Sequence, residues 1–221
     1  MDSEGRARQY AAVGNPNRLR IIDLLNLVGD LTVQEIGEVT DIPGNLLAHH
    51  LDVLEGAGLI TRRTSQGDHR RRYVTLTAAA SPLSFVSQQE LGRVLFVCSH
   101  NSARSQYAAA RWAERTGDLA QSAGLQPARR VNPTAVRVAA ERGLDLTGRI
   151  PKGYDDVGFV PDLVISVCDQ AREAELPSAA MYQHWSIPDP VPSGKVSEFR
   201  SAFREIDDRV ERLVEQVDKG V

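Results

Sequence analysis

Apolar residues near the start of the chain recur every three or four positions, which is the spacing of one face of an α-helix. Three such stretches follow one another, formed by Leu19, Ile22, Leu25 and Val28, then by Val33, Ile36 and Val39, then by Leu47, Leu51 and Leu54. The pattern therefore predicts three consecutive short helices.

The ends of these predicted helices carry local signals. Asn15 with the proline that follows it suits the N-cap and first helical position, Gly29 can end the first helix, and Thr32 can cap the second. The Pro-Gly pair at 43–44 forces a turn between the second and third helices. The boundaries are therefore predicted by residue chemistry as well as by periodicity.

The hydrophobic period changes after Gly58. Residues 59–63 and 71–76 are β-type runs that flank the turn sequence Ser-Gln-Gly-Asp at 65–68, a pattern that predicts a β-hairpin. Helix, turn, helix and then a basic hairpin is the order of elements in a winged helix-turn-helix domain. Residues 78–91 lack an amphipathic stripe, and we expect a linker there that could contain a short helix.

From about residue 92 the pattern alternates between strands and helices. The predicted strands are 93–97, 119–124, 162–167 and 182–186, and the predicted helices are 102–116, 132–143 and 197–218. Such alternation predicts an α/β fold with a doubly wound, mostly parallel sheet, whose ligands bind beyond the carboxyl ends of the strands. We therefore divide the chain into a winged-helix domain (1–80), a linker (81–91) and an α/β domain (92–221).

Composition narrows the class of protein. The chain has 221 residues, of which 42% are hydrophobic and 25% charged, values that exclude disorder as the main state. It has no apolar run near the ~20 residues that cross a bilayer and no signal sequence. We expect a cytoplasmic protein without membrane contact, whose two cysteines are free thiols rather than a metal site.

The distribution of charge along the chain is informative at one place, the predicted hairpin. The formal net charge is -3, but the predicted hairpin carries five arginines against one acid, namely Arg62, Arg63, Arg70, Arg71 and Arg72. A compact basic patch of this kind on a winged helix favours contact with the phosphates of DNA.

Cys98 and Arg104 bracket a short polar loop between a predicted buried strand and a predicted helix. The five residues between them can wrap so that their backbone N–H groups point inward and form an anion-binding nest at a helix N-terminus; they are Ser99, His100, Asn101, Ser102 and Ala103. The same field stabilises a thiolate, Arg104 offers a planar fork to an oxyanion, and Ser105 can donate to the sulfur. The alternative is a structural cysteine near a solvated arginine.

The loop sequence CSHNSARSQ (98–106) resembles the phosphate loop of the low-molecular-weight phosphotyrosine phosphatase family, which includes thioredoxin-coupled and mycothiol-coupled arsenate reductases. Segments 122–125, 130–136, 141–146 and 184–190 also resemble that family. The resemblance implies Cys98 as nucleophile, Arg104 as oxyanion clamp, Asn101 and Ser122 as a pair that shapes the loop, and Asp189 as general acid.

Asp189 also suits the acid role by its chemistry. An oxygen that leaves phosphate or arsenate is a poor leaving group unless it is protonated, and a carboxylic acid beside the anion can supply that proton. Asp189 lies between two prolines after a predicted strand. Its alternative role is that of an ordinary aspartate in a proline-rich turn.

Phosphatase and arsenate reductase chemistry differ after the first step. A phosphatase hydrolyses phosphocysteine with water, whereas a reductase needs a second thiol that leaves Cys98 in a disulfide. Cys168 follows the apolar run 163–167 and stands where the thioredoxin-coupled reductases carry a resolving cysteine; alternatively it is a small buried residue. Val191 comes directly after Asp189-Pro190, and no Tyr or Trp follows to stack on a phosphotyrosine ring. We favour arsenate reduction completed by an external thiol (mycothiol, glutathione or a redoxin), with no bound cofactor and no metal.

Residues 8–77 resemble winged-helix regulators of the arsenical-repressor type. Segments 15–22, 46–54 and 56–60 and the arginine-rich hairpin carry the resemblance, which implies a homodimer that binds a double-stranded operator. The predicted DNA contacts are Asn45, His49 and His50 on the third helix, with the five hairpin arginines. Two alternatives remain open: a winged helix kept for dimerisation or protein contact, and a repressor that senses oxyanions without turnover.

Overall fold

A computed structural model describes residues 3–83, 92–118 and 120–217. Their contacts divide them into two compact units, each with a hydrophobic core of its own. The N-terminal unit comprises residues up to 65 and from 69 to 83, and the C-terminal unit comprises residues 66–68 and those from 92 onward. Within the described ranges no helix combines the length and apolarity that a bilayer crossing requires.

The N-terminal unit contains the predicted helices and hairpin. Its elements are α1 (Ser3–Val13), α2 (Pro16–Val28), β1 (Leu31–Thr32), α3 (Val33–Thr40), α4 (Gly44–Gly56), β2 (Ile60–Thr64), β3 (Arg72–Leu76) and a 3-10 helix (Ala78–Leu83). The strands form an antiparallel sheet in the order β1-β3-β2. The order of helices and hairpin is that of a winged helix.

The predicted helix caps are confirmed. The side chain of Asn15 accepts hydrogen bonds from the amides of residues 17 and 18, and Gly29 takes a positive φ of 81° at the end of α2. Thr32 and Glu35 form a reciprocal capping box at the start of α3. These local bonds satisfy helix-end amides that would otherwise lack partners.

Helix α1 was not predicted from the sequence. Its buried residue is the small Ala12, so the helix has no apolar stripe that a periodic pattern could reveal. The predicted linker begins in the 3-10 helix, and its residues 84–91 lie outside the described part of the chain. Leu19 and Val39, at the edges of their helical stripes, are exposed.

The C-terminal unit is built on four parallel strands. Its elements are β4 (Val94–Cys98), α5 (Arg104–Thr116), β5 (Gln121–Gly124), α6 (Pro133–Ala140), β6 (Leu163–Ser166), α7 (Asp169–Arg172), β7 (Met181–His184) and α8 (Val196–Val217). The predicted α/β class is confirmed. The one-turn helix α7 was not predicted, and the predicted strand 182–186 begins and ends earlier.

The strand order β5-β4-β6-β7 places a topological switch point at the end of β4. The chain leaves β4 for β5 on one side of it and later returns to β6 on the other side. Loops diverge at such a point and leave a crevice beyond the carboxyl ends of the strands. The Cys98 loop begins at this crevice.

Asp207 on α8 joins three elements of the C-terminal unit. Its carboxylate accepts hydrogen bonds from the Tyr107 hydroxyl at 2.7 Å and Arg111 Nε at 2.8 Å, both on α5, and from Arg142 Nη1 at 2.5 Å after α6. All four side chains are largely buried, and the Tyr107 ring stacks on Phe203 of α8. The cluster therefore fixes α8 against the helix that begins at Arg104.

We expect Asp207→Asn to destabilise the C-terminal unit by about 2 kcal/mol, because two partly buried arginines lose their shared carboxylate. Urea unfolding followed by tryptophan fluorescence measures this loss selectively, since both tryptophans, Trp112 and Trp185, lie in this unit. Glu211→Gln, which breaks the exposed Arg115–Glu211 pair between the same two helices, is the matched control and should have a much smaller effect. Equal effects of the two variants would contradict the role of the cluster.

Candidate functional site

The loop after β4 is held from outside by a second segment of the chain. The carbonyls of Cys98, Ser99, His100 and Ser102 accept hydrogen bonds from amides in segment 125–132 at 2.8 to 3.1 Å. In a trans peptide the N–H points opposite to the C=O. The amides that follow these carbonyls therefore face the inside of the loop, in the orientation predicted for an anion nest.

The Cys98 sulfur lies at the base of this loop. It accepts a hydrogen bond from the Asn101 amide at 3.2 Å and lies 3.0 Å from the Ser105 hydroxyl. Asn101 has a positive φ of 49°, a left-handed conformation that asparagine tolerates better than most residues. The side chain of Cys98 is buried, so only a group that enters the loop can reach its sulfur.

The side chain of Asn101 fixes the loop from within. Its amide nitrogen donates to Ser105 Oγ at 2.9 Å, and its oxygen accepts from Gln106 Nε2 and from the Lys152 amide, each at 3.0 Å. These three bonds agree with the predicted part of Asn101 in shaping the loop, while the supporting role of Ser122 stays a prediction. Ser122 is buried on β5, where it is the register partner of Phe96.

Gly124 is the residue of β5 that approaches the loop. A Cβ atom at this position would lie 2.7 Å from the Asn101 nitrogen and 2.9 Å from the carbonyl carbon of His100. Both contacts are with backbone, which cannot swing away. The close approach of β5 to the loop therefore requires glycine here.

Arg104 and Asp189 meet across the crevice. Nη2 of Arg104 lies 3.1 Å from Oδ2 of Asp189, and Nη1 donates to the Ile187 carbonyl at 2.8 Å. The arginine is buried and the carboxyl group is partly exposed. The structure thus brings together the predicted nucleophile, clamp and acid from the ends of two separate strands.

Cys168 lies beside the same loop. Its sulfur is 3.4 Å from the hydroxyl of Ser99, which also donates to Gln170 Oε1 at 2.6 Å, and it accepts a hydrogen bond from the Ala171 amide at 3.4 Å. Burial raises the pKa of Cys168, and Cys98 raises it further, whereas Arg104 lowers it. Cys168 is therefore a buried, protonated thiol next to the residue that follows Cys98.

The remaining loop residues occupy different environments. The side chain of His100 is exposed, that of Ser102 is half-buried and Ala103 is buried. The supporting roles of Gly124 and Lys152 were not predicted from the sequence. Only the register of β5 against β4, with Gly124 opposite Cys98, could have indicated the former.

Helix α4 presents the predicted DNA contacts unequally. Asn45 and His49 are exposed, but His50 is buried. The prediction of His50 as a DNA contact is therefore wrong: it lies three residues from Leu47 and four from Leu54, so it shares their buried face. Burial lowers the pKa of His50, and Arg18 and His49 lower it further.

The hairpin arginines also differ from one another. Arg62 is largely buried and pairs with Asp52 at 2.5 Å and Glu55 at 3.3 Å on α4, so its charge is already compensated within the unit. Arg70, Arg71 and Arg72 are exposed, and Arg63 is partly buried. The three exposed arginines line one wall of a cleft of about 450 Å³, whose other wall is the first turn of α3.

Family comparisons agree with both units. The model of the family "Low molecular weight phosphotyrosine protein phosphatase" matches residues 93–221, and that of the MarR family matches residues 15–71. The second match confirms the predicted winged helix.

Individual relatives match the C-terminal unit. An arsenate reductase from Bacillus licheniformis is 33% identical over 133 residues, which cover 55% of this chain and 94% of that protein. The crystal structure of arsenate reductase from Archaeoglobus fulgidus aligns with a TM-score of 0.50 and 36% identity over 55% of this chain and 98% of its own. A structure described as an arsenate reductase in the phosphate binding state aligns with a TM-score of 0.51 and 30% identity, over 58% of this chain and 100% of its own.

We expect Gly124→Ala to weaken binding of inorganic phosphate at least about tenfold, because the added methyl group would displace the Asn101 peptide by overpacking. Calorimetric titration of the full chain with phosphate measures this. Gly158→Ala is the control, since a Cβ at Gly158 meets no atom within 4 Å. Unchanged affinity in the Gly124 variant would show that the close approach of β5 does not shape the loop.

Proposed function

Because the chain belongs to the low molecular weight phosphotyrosine protein phosphatase family, we propose that it is a thiol-dependent arsenate reductase fused to a DNA-binding regulator. The observation that carries the proposal is the presence of a second thiol, Cys168, 3.4 Å from the hydroxyl of Ser99 in the anion loop. The relatives named arsenate reductase support the same substrate.

In the first step the Cys98 thiolate attacks arsenic while the loop amides and Arg104 hold the arsenate oxygens. Asp189 protonates the oxygen that leaves, which departs as water. The 3.1 Å contact of Asp189 with Arg104 supports this assignment, since an oxyanion gripped by the guanidinium lies within reach of the carboxyl group. Ser105 and the Asn101 amide stabilise the sulfur before attack.

In the second step a thiolate attacks Cys98 in the sulfur–arsenic adduct. A sulfur–sulfur bond forms, the sulfur–arsenic bond breaks, and its electron pair leaves with arsenic as arsenite. Strand register supports Cys168 as the attacking group: Val97 pairs with Ser166, so Cys98, the last residue of β4, and Cys168, two residues beyond β6, lie at the same end of adjacent strands.

The cycle then requires an external reductant. The chain has two cysteines, and both are consumed in a Cys98–Cys168 disulfide. Mycothiol, glutathione or a redoxin of the cytoplasm would reduce it. No bound cofactor takes part in this scheme.

For the N-terminal unit we propose operator binding by a homodimer. The match to the MarR family, the exposed residues Asn45 and His49 on α4, and the exposed arginines of the hairpin support this role. Base edges would be contacted by α4, and phosphates by Arg70, Arg71 and Arg72.

We expect the purified full chain to release arsenite from arsenate when a thiol is supplied, and Cys98→Ser to abolish the release. Asp189→Asn should lower the rate about 100-fold or more, because the leaving oxygen loses its acid. Arsenite is quantified with glutathione, mycothiol and a thioredoxin system in parallel.

Hydrolysis of an aryl phosphate by the same preparation tests the competing activity. Rapid hydrolysis without arsenite release would identify a phosphatase instead. Oxyanion-dependent DNA binding without either turnover would identify a sensor.

We expect the chain to shift the promoter of its own operon in a gel, with an affinity that falls linearly with salt on a logarithmic scale. Arg72→Ala should reduce that slope by about 1, because one phosphate contact is lost. Arg62→Gln is the contrasting variant, and it should leave the slope unchanged because Asp52 and Glu55 already pair its charge. Absence of any shift at low salt would contradict DNA binding.

A further inference from the structure

Four buried side chains are joined by hydrogen bonds that end at the Cys98 sulfur, and we call them the Cys98 network. Gln106 Nε2 donates to Asn101 Oδ1 at 3.0 Å, and Asn101 Nδ2 donates to Ser105 Oγ at 2.9 Å. Ser105 Oγ lies 3.0 Å from Cys98 Sγ. Because all four side chains are almost fully buried, each bond depends on its protein partner.

Two backbone groups fix the direction of the bonds in this network. The Lys152 amide can only donate, and it donates to Asn101 Oδ1 at 3.0 Å. The Ile150 carbonyl can only accept, and it accepts from Gln106 Nε2 at 3.4 Å. A free side-chain amide can turn over and exchange its donor for its acceptor. The backbone at 150–152 therefore holds both amides in one orientation.

The orientation of Asn101 decides where the Ser105 proton points. Asn101 Nδ2 can only donate, so the hydroxyl of Ser105 accepts from it. That hydroxyl has one proton, and Cys98 Sγ is its other neighbour within hydrogen-bond distance in the described part of the chain. The proton is thus directed at the sulfur, where it stabilises the thiolate.

A turned-over Asn101 would cancel this arrangement. Its oxygen would then face Ser105 and accept the hydroxyl proton, and the sulfur would lose that donor. Its nitrogen would face Gln106 Nε2 and the Lys152 amide, donor against donor. Gln106 and the Lys152 amide therefore both oppose the turn, and Gln106 is the one of the two that a substitution can change.

We propose that Gln106 is a positioning residue for Cys98, which keeps the oxygen of Asn101 turned away from Ser105 and thereby commits the Ser105 proton to the Cys98 sulfur. The proposal rests on the proposed function in taking Cys98 as the nucleophile. No proton moves along the network: Cys98 loses its proton to water, and the hydroxyl and the two amides keep theirs.

The test uses the full chain with Cys168→Ser, in which Cys98 is the remaining thiol. The rate of its modification by iodoacetamide, a neutral reagent, is measured against pH, and the midpoint of this profile reports ionisation of the thiol. Gln106→Glu should raise the midpoint by about one pH unit, because a carboxylate only accepts, favours the turned-over Asn101 and so removes a hydrogen bond to a charged group. Gln106→Met keeps the Lys152 donor and should give a smaller rise.

The same variants in a Ser105→Ala background separate the network from direct repulsion by the new carboxylate. Without the hydroxyl there is no proton to direct, so neither Gln106 variant should move the midpoint further. Repulsion or general loosening would act in both backgrounds. Equal rises in the two backgrounds, or no rise in either Gln106 variant, would overturn the proposal. Should Gln106→Glu not fold, Gln106→Met in the two backgrounds decides alone.

Gln121→Glu is the matched control, because Gln121 on β5 bonds to the Lys152 side chain and not to Asn101. It introduces the same charge and should leave the midpoint unchanged; a rise equal to that of Gln106→Glu would also overturn the proposal. Arg104 and Asp189, which pair at 3.1 Å outside the network, are the same in every variant.

This experiment needs no arsenate, so its outcome separates from that of the proposed function. The expected midpoints combined with absent arsenite release would leave the Gln106 role intact and remove arsenate reduction. Arsenite release combined with unchanged midpoints would do the reverse.

Discussion

The shape of the loop after β4 depends on the hydrogen bonds that hold four of its backbone carbonyls outward, on the side away from the Cys98 sulfur. Backbone amides of segment 125–132 donate these hydrogen bonds. The inward direction of the loop amides then follows from the planarity of the peptide group. The left-handed Asn101 and the missing side chain at Gly124 are conditions for the same arrangement. The inward-facing amides are thus a property of the backbone path, and Arg104 lies beside them with its Nη2 3.1 Å from Oδ2 of Asp189.

Both units contain arginines that differ in burial and in the acidic groups near them. Arg62 is enclosed and paired with acids of α4, so it supports the position of that helix, whereas Arg70, Arg71 and Arg72 are exposed at the protein surface. Arg104 is as buried as a core residue, yet it faces the crevice. Counting arginines in the sequence could not separate these roles, because each depends on which acids the fold brings near.

Features encoded by neighbouring residues were predictable. The caps at Asn15 and Thr32 and the loop from Cys98 to Arg104 are local, and the alternation of strands and helices was enough to predict the parallel sheet. What the sequence did not predict depends on contacts between distant segments. The bond from the Lys152 amide to Asn101 joins residues 51 positions apart in the sequence. Helix α1 buries too little surface to leave a pattern. His50 was predicted as a DNA contact from the family resemblance, although its spacing already placed it on the apolar face.

Helix α8 is synthesised well after α5, which carries Arg104. The Asp207 cluster ties the two together. While the nascent chain is still on the ribosome, the helix that begins the anion cradle lacks its main support. The loop therefore gains the support of the Asp207 cluster only after α8 has been synthesised, and proteolytic loss of α8 would remove that support from a helix about 100 residues upstream.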